Sequence, residues 1–398
     1  MISTLTSIVI ASAVGSSTWT VDDNGPADFS SIHAAIPVIA ENDILLVKAG
    51  SYPGFTASKS VIILGPPTGL QPTITTPVSI QAAANFTLAG LRLTKGLVAN
   101  GVAGRLTIDE CTIEGIVGIP TVQWNSCGDV LFSRSSAVGA KQTVGIVCTT
   151  SNARIDSSSI RGGEYPDYTT PYGGDGALAL SVASHSRVVL SGTTVNGGFA
   201  GYADVGVQGT SGGAVRAADG SLVIIRGLSA HLIATGGWSP FGTPGPALEL
   251  LDTSRIIVSG VTVLGPTSVA STATLQFPSS PIPWMRIVGN DGPGQVRRIH
   301  LFGPPATPAL LLVGTAPGIL AHPLAGLPLW MSPLGSIAVV PVTTQSATIP
   351  LEFLYAVPST PGVAGTTLEI QAAFPTLSGT VTTNTIEMTN GTTLLLRE

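Results

Sequence analysis

Charge is scarce in this chain. Of 398 residues, 17 are Lys or Arg and 22 are Asp or Glu, 10% in all, against the usual quarter. The net charge is −5 and there is no basic run. That excludes nucleic acid as a partner, because neutralising phosphates takes clustered cations. Aromatics are only 5%. Three cysteines, Cys111, Cys127 and Cys148, are too few and too odd in number for a disulfide scaffold. Long apolar runs are missing as well. The stretch 310–334 is hydrophobic but broken by prolines, so it cannot be a continuous membrane helix. Too little Lys, Glu and Leu remains for a helical protein.

Glycine (48) and proline (30) are abundant, amid Ser, Thr and short apolar runs. That pattern reads as all-β. One phrase recurs eight times between Val61 and Val263. Its full copies include Phe86-Thr-Leu-Ala-Gly-Leu-Arg-Leu, Leu106-Thr-Ile-Asp-Glu-Cys-Thr-Ile and Ile256-Ile-Val-Ser-Gly-Val-Thr-Val; the first copy is the shorter Val61-Ile-Ile-Leu-Gly. The third residues of the seven full copies are Leu88, Ile108, Phe132, Ile155, Leu190, Ile225 and Val258, spaced 20, 24, 23, 35, 35 and 33 apart. Repeats of this length built of β-type segments mark a solenoid. Alternation, a break near a frequent Gly at position five, and alternation again predict two short strands meeting at a corner. A third strand is visible upstream of the phrase only from Gly176 on: 177–180, 214–217 and 247–250. The early coils therefore read as bare scaffold, and eight coils predict a rod of roughly 35–40 Å at the ordinary strand spacing.

Ahead of the repeat, Asp28-Phe-Ser-Ser-Ile-His-Ala-Ala-Ile-Pro predicts a capping helix of about two turns, ended by Pro37. Asp28 or Ser30 would be its N-cap, with Ile32, Ile36 and Ile39 on one face. Residues 1–18 read either as a short secretion signal without a basic start or as an N-terminal strand. The parallel β-helix is expected over 19–285. The Pro- and Gly-rich stretches from Pro278 to Gly294 read as exit and linker. About six strand-like runs over 296–398 predict a small β-sandwich.

The segment Asp22-Asp-Asn-Gly-Pro-Ala-Asp-Phe-Ser-Ser-Ile-His-Ala-Ala-Ile, followed by Leu45-Leu-Val-Lys-Ala-Gly-Ser-Tyr, resembles the opening of right-handed parallel β-helix proteins of the pectin lyase-like superfamily. It is most similar to the first coil of pectin methylesterases and of exported β-helix proteins. The resemblance spans 19–70 in motif and implies the fold, not an activity. The enzymes' signatures do not carry over. Gln81-Ala-Ala-Ala is a faint echo of the methylesterase glutamine, and the aspartate motifs that should follow are absent. The Gly-His-Gly and Arg-Ile-Lys of polygalacturonases and the Arg-x-Pro-x-x-Arg of pectate lyases are also absent. The run Ile349-Pro-Leu-Glu-Phe-Leu with Gly362-Val-Ala-Gly-Thr-Thr-Leu-Glu-Ile-Gln-Ala is similar to a terminal module of exported planctomycete and myxobacterial proteins.

Three long insertions follow consecutive phrases, at 161–176, 197–213 and 235–245. Consecutive coils place them side by side as one wall. They carry Glu164, Tyr165, Asp167, Tyr168, Tyr172 and Asp175, then Phe199, Tyr202 and Asp204, then Trp238 and Phe241. Aromatic faces with carboxylates suit sugar binding, and the acids are of the type that holds calcium; no other cofactor is implied. Equally, the rings could pack the loops against the rod. Asp167, Asp175 and Asp204 are the candidates for acid–base catalysis, without a basic partner at defined spacing. His33, His231, His300 and His322 lack metal-ligand spacing. Arg105, Asp129 and Arg255 sit in turns where charges solvate a face or pair between coils. Glu110 and Arg134 share a phrase position on adjacent coils and should form an exposed ion pair. Cys111 takes the inward sixth position held later by Ser135, Ser158 and Thr193, and should be a small buried filler. Cys127 and Cys148 lie in adjacent coils, and their pairing is open.

The expectation is a secreted or cell-surface β-helix with a structural or adhesive role, its loops binding polysaccharide or surface glycan. The competing expectations are a polysaccharide lyase or glycoside hydrolase on the same wall, and a subunit of a larger assembly or oligomer.

Overall fold

In the computed structural model, residues 3–4, 16–165, 174–201, 209–228, 231–234, 243–278, 282–288, 296–314, 317–320, 329–331, 337–344, 346, 348–356, 367–376, 385–388 and 392–395 are described. The chain divides into two compact units, one of Ser17–Gly65 with Leu70–Phe277, the other of Met1–Ser16, Pro66–Gly69 and Pro278–Glu398.

The first unit is a right-handed parallel β-helix made of three parallel sheets of eleven, nine and nine strands. Sheet I holds the first half of every phrase, from Thr18–Val21 through Phe86–Ala89 and Arg105–Asp109 to Thr274–Gln276. Sheet II holds the second half, from Ser51–Tyr52 through Thr112–Glu114 and Ser159–Arg161 to Thr262–Leu264, except in the copy that starts at Val223, where a longer corner moves the strand to Leu232–Ala234 and Ile233, not Ala230, pairs with Val195. Sheet III runs from Thr56–Ala57 through Leu97–Asn100 and Leu180–Ala183 to Thr267–Val269. The third strand is therefore present in the early coils too, as Val78–Gln81, Leu97–Asn100, Val122–Asn125 and Ile146–Thr149. The sequence conceals it because these segments share no composition beyond alternation. In-register pairing supplies their common frame: Ala99 lies between Ile80 and Trp124, and Trp124 pairs onward with Cys148.

The phrase's fifth position is the corner between sheets I and II. Gly90, Glu110, Arg134, Ser157, Gly192 and Gly260 all adopt positive φ there, between 48° and 73°. Glycine recurs because the left-handed region costs it nothing. After each corner the sixth residue turns inward. Ser135 Oγ accepts the Cys111 N–H (3.0 Å), Ser158 Oγ accepts the Ser135 N–H (3.1 Å), and Thr193 Oγ1 accepts the Ser158 N–H (3.4 Å). A second stack climbs another corner: Ser151 Oγ accepts from Cys127 N, Ser186 Oγ from Ser151 N, and Ser221 Oγ from Ser186 N. These hydroxyls satisfy turn amides that would otherwise be buried without partners. Cys111 is the buried filler expected, and all three cysteines are free thiols.

One helix, Ile32–Ala35, closes the N-terminal end, with Ile32, Ala35, Ile36 and Ile39 buried in the core of the stack. Its N-cap is Ser31, whose Oγ accepts the Ala34 N–H at 3.2 Å, not Asp28 or Ser30. Asp28 is used elsewhere: its Oδ2 accepts the N–H and hydroxyl of Thr20 at 2.7 and 2.8 Å. Asp43 sits behind the helix. Burial raises its pKa, but bonds from Trp19 Nε1 and the N–H groups of Ser17 and Ala40 outweigh that and hold it below 3.8.

In the second unit, Trp284–Val288, Val296–Phe302 and Leu351–Ala356 form an antiparallel sheet that Ser3–Thr4 joins in parallel. The stretch read as linker thus contains an edge strand. A second antiparallel sheet is built on Pro308–Gly314, Ile337–Thr343, Thr367–Thr376, Thr385–Met388 and Thr392–Leu395. Met285, Ile299, Leu301 and Phe353 from one sheet and Leu311, Val313, Ile370 and Phe374 from the other share one core, the arrangement of a sandwich. Among the described residues no helix is long and apolar enough to cross a membrane.

Candidate functional site

Nearly all the extra residues of the longer coils enter between sheets II and III; the exception is 227–231, which lengthens the corner between sheets I and II in one late coil. The corner between sheets II and III already carries short loops at 115–121 and 139–145 in the early coils, and in the later ones it opens into 162–179, 197–214 and 235–247. The bases of these loops interlock through their backbones. Gly163 N donates to Thr143 O, Ala177 N to Gly163 O, Gly198 N to Ala177 O and Gly212 N to Gly198 O, at 2.7–2.9 Å. The backbones lie so close that a Cβ on Gly163 would overlap Ala140 O, and one on Gly198 would overlap Gly163 O. Glycine is required here for close approach, so the wall stands on a seam of bare backbone.

On this seam two cations lie over two rings. Lys141 Nζ is 4.1 Å from the centroid of the Tyr165 ring, and Arg161 Cζ is 4.8 Å from that of Phe199. Such contacts contribute about 0.5–1 kcal/mol each at exposed sites. Arg161 Nη2 also pairs with Glu164 Oε1. Tyr165 N donates to Phe199 O at 3.0 Å, which ties the first long loop to the second. Tyr165 is half-buried, and side chains on Gly174 or Gly201 would collide with its ring. It therefore packs the loops together. Phe199 is different, with 41% of its surface exposed.

Of the acids expected to work here, Glu164 is engaged with Arg161, and Asp175 Oδ1 accepts the Thr210 N–H at 2.6 Å. Asp167, Tyr168, Tyr172, Tyr202, Asp204, Trp238 and Phe241 lie outside the described residues. Among the described residues no three His, Cys, Asp or Glu converge as metal ligands. Sequence reasoning missed Lys141, because its loop, 139–145, is short and sits in a coil read as scaffold. Its position one coil before Tyr165 was the available signal.

The charged turns form a separate cluster on sheet I. Asp129 is buried between Arg105 (Nη2–Oδ2 2.5 Å) and Arg154 (Nη2–Oδ2 3.2 Å), both buried as well. Glu110 and Arg134 meet at 2.5 Å, but Arg134 is mostly buried and also pairs with the buried Asp109. The expected exposed pair is thus part of an inner network, because the outward residues of this sheet, such as Thr107, Leu131 and Val189, are themselves buried.

No known family matches the chain, and no characterised protein matches it in sequence. Among solved structures, the enzymatically active domain of tailspike protein 4 from bacteriophage CBA120 is similar at 10% identity over 92% of this chain and 65% of that one, with a TM-score of 0.28. The chain thus spans 65% of that chain's length.

Proposed function

We propose that this protein is an exported β-helix that binds glycan on the loop wall between sheets II and III. The observation that carries this reading is Phe199, a ring 41% exposed yet backed by Arg161 and anchored through its carbonyl to Tyr165. Exposed aromatic faces stack on the apolar faces of sugars, and a platform already ordered by backbone contacts costs little entropy on binding. A structural or adhesive role follows, with polysaccharide or surface glycan as the partner.

The test is retention on immobilised neutral and acidic polysaccharides, comparing the protein with its Phe199→Ala variant, while unsaturated products and new reducing ends are monitored. Retention lost in the variant and no product supports binding without turnover. No retention on any polysaccharide overturns the reading. The competing lyase or hydrolase reading draws on Glu164 and Arg161, a carboxylate and a guanidinium meeting in the wall. Product formation abolished by Glu164→Gln, with the fold and the Asp175 contact intact, would establish it instead.

A further inference from the structure

The two ends of the β-helix are finished differently. The N-terminal end is closed by the helix Ile32–Ala35. The other end consists of Thr262–Leu264, Thr267–Val269 and Thr274–Gln276, the last strands of sheets II, III and I, each paired on one side only among the described residues. The apolar interior shows through there. Leu264 is 52% exposed, Val269 44% and Phe277 62%, and Val263 and Leu275 only partly cover the core below.

Natural sheets protect such edges with charge, proline, a bulge or a covering element. Charge is absent: between Arg255 and Arg286 the sequence contains no Asp, Glu, Lys, Arg or His. In a chain where 10% of residues are charged, this thirty-residue gap covers the last coil, whose three strands each have one unpaired edge among the described residues.

We infer that this end docks a second copy of the chain, coil against coil about a two-fold axis. Three strand edges, one on each side of the coil, are matched at once only by a coil of the same layout, and the second copy's own open end is one. Turning it over about a two-fold axis makes the facing strands antiparallel, a hydrogen-bonded arrangement every strand edge accepts. A two-fold interface places each patch against itself, so a charge near the axis would meet its like; a neutral coil is what such an interface requires. Head-to-tail addition is closed off because the opposite end is capped, so association stops at two copies. A contact confined to one coil is a small interface, which makes the dimer concentration-dependent.

Sedimentation equilibrium over a range of concentrations tests this, with Leu264→Lys and Val269→Lys as variants at positions exposed enough to leave folding intact, checked by circular dichroism. The mass is expected to rise from 40.2 kDa towards twice that value, while both variants stay monomeric. The inference is overturned if the unmodified chain stays monomeric at its highest soluble concentration. It is equally overturned if folded variants dimerise as it does, or if the mass climbs past two copies.

Discussion

Asp175 Oδ1 accepts the backbone N–H of Thr210 at 2.6 Å across 35 residues of sequence. The two loops they belong to leave consecutive coils, and this bond joins them where Thr210 bridges in turn to Thr243 of the third. A carboxylate that the sequence offers as an acid–base candidate thus ties the loops of the wall together.

Replacing it should loosen the wall and leave the rod alone. Asp175→Ala is expected to speed limited proteolysis within 197–213 several-fold, with the thermal midpoint of the β-helix little changed. Asp175→Asn, which keeps an acceptor oxygen, should restore most of the resistance. Equal cleavage rates in all three proteins would show that the bond holds nothing.

Asp129 predicts a larger effect on stability. Asp129→Ala leaves Arg105 and Arg154 buried beside each other without their shared counter-charge, at a cost of about 3–5 kcal/mol. Guanidinium unfolding checks this, and a loss under about 1 kcal/mol would mean that the arginines find another partner or reach water.

The second unit should weaken in mild acid. His300 Nδ1 accepts from Arg286 Nε at 3.3 Å, and Nε2 faces Glu352 at 3.2 Å. Burial lowers the pKa of His300 below 6.5; Glu352 opposes this, while Arg286 and Arg298 add to it. The folded state therefore binds fewer protons than the unfolded one, so its contribution to stability is present above about pH 6.5 and is lost as pH falls through the depressed value. Melting curves between pH 7.5 and 5 should show this decline, and His300→Gln should flatten it. An unchanged slope in the variant would remove His300 as the cause.

The three cysteines should be inert in the folded chain. Burial raises the Cys127 thiol, and it pushes that of Cys148 up to about 12. Thiolate, the reactive form, is then negligible at neutral pH. Titration with a thiol reagent should count no accessible thiol in the native protein and three in denaturant. Fast labelling of the native chain would contradict the packing described.

The β-helix was legible because its signal is local and repeated. Ile108, Phe132 and Ile155 recur in phase since each must fill the same slot of the coil, and Gly90 or Gly192 recurs since the corner demands positive φ. The inward role of Cys111 followed from its alignment with Ser135 and Ser158 for the same reason. The early strands of sheet III escaped because half-buried alternation over four residues, as in Leu97–Asn100, matches many loops until neighbours in register complete it. The N-cap was misplaced by a residue or more because Asp28, Ser30 and Ser31 are equally good acceptors; the entry of the chain from Thr20 chose among them.

What the sequence by itself determined was therefore the coil, its corners and the place where loops leave it. What only the tertiary structure decided was the use of each polar group: Asp175 as a staple, Asp129 between two arginines, Lys141 above Tyr165. These pairings join residues 24 to 35 positions apart, and no local pattern encodes them. They arise because parallel stacking brings each coil within about 4.8 Å of the next and leaves every outward side chain to find its partner across that gap.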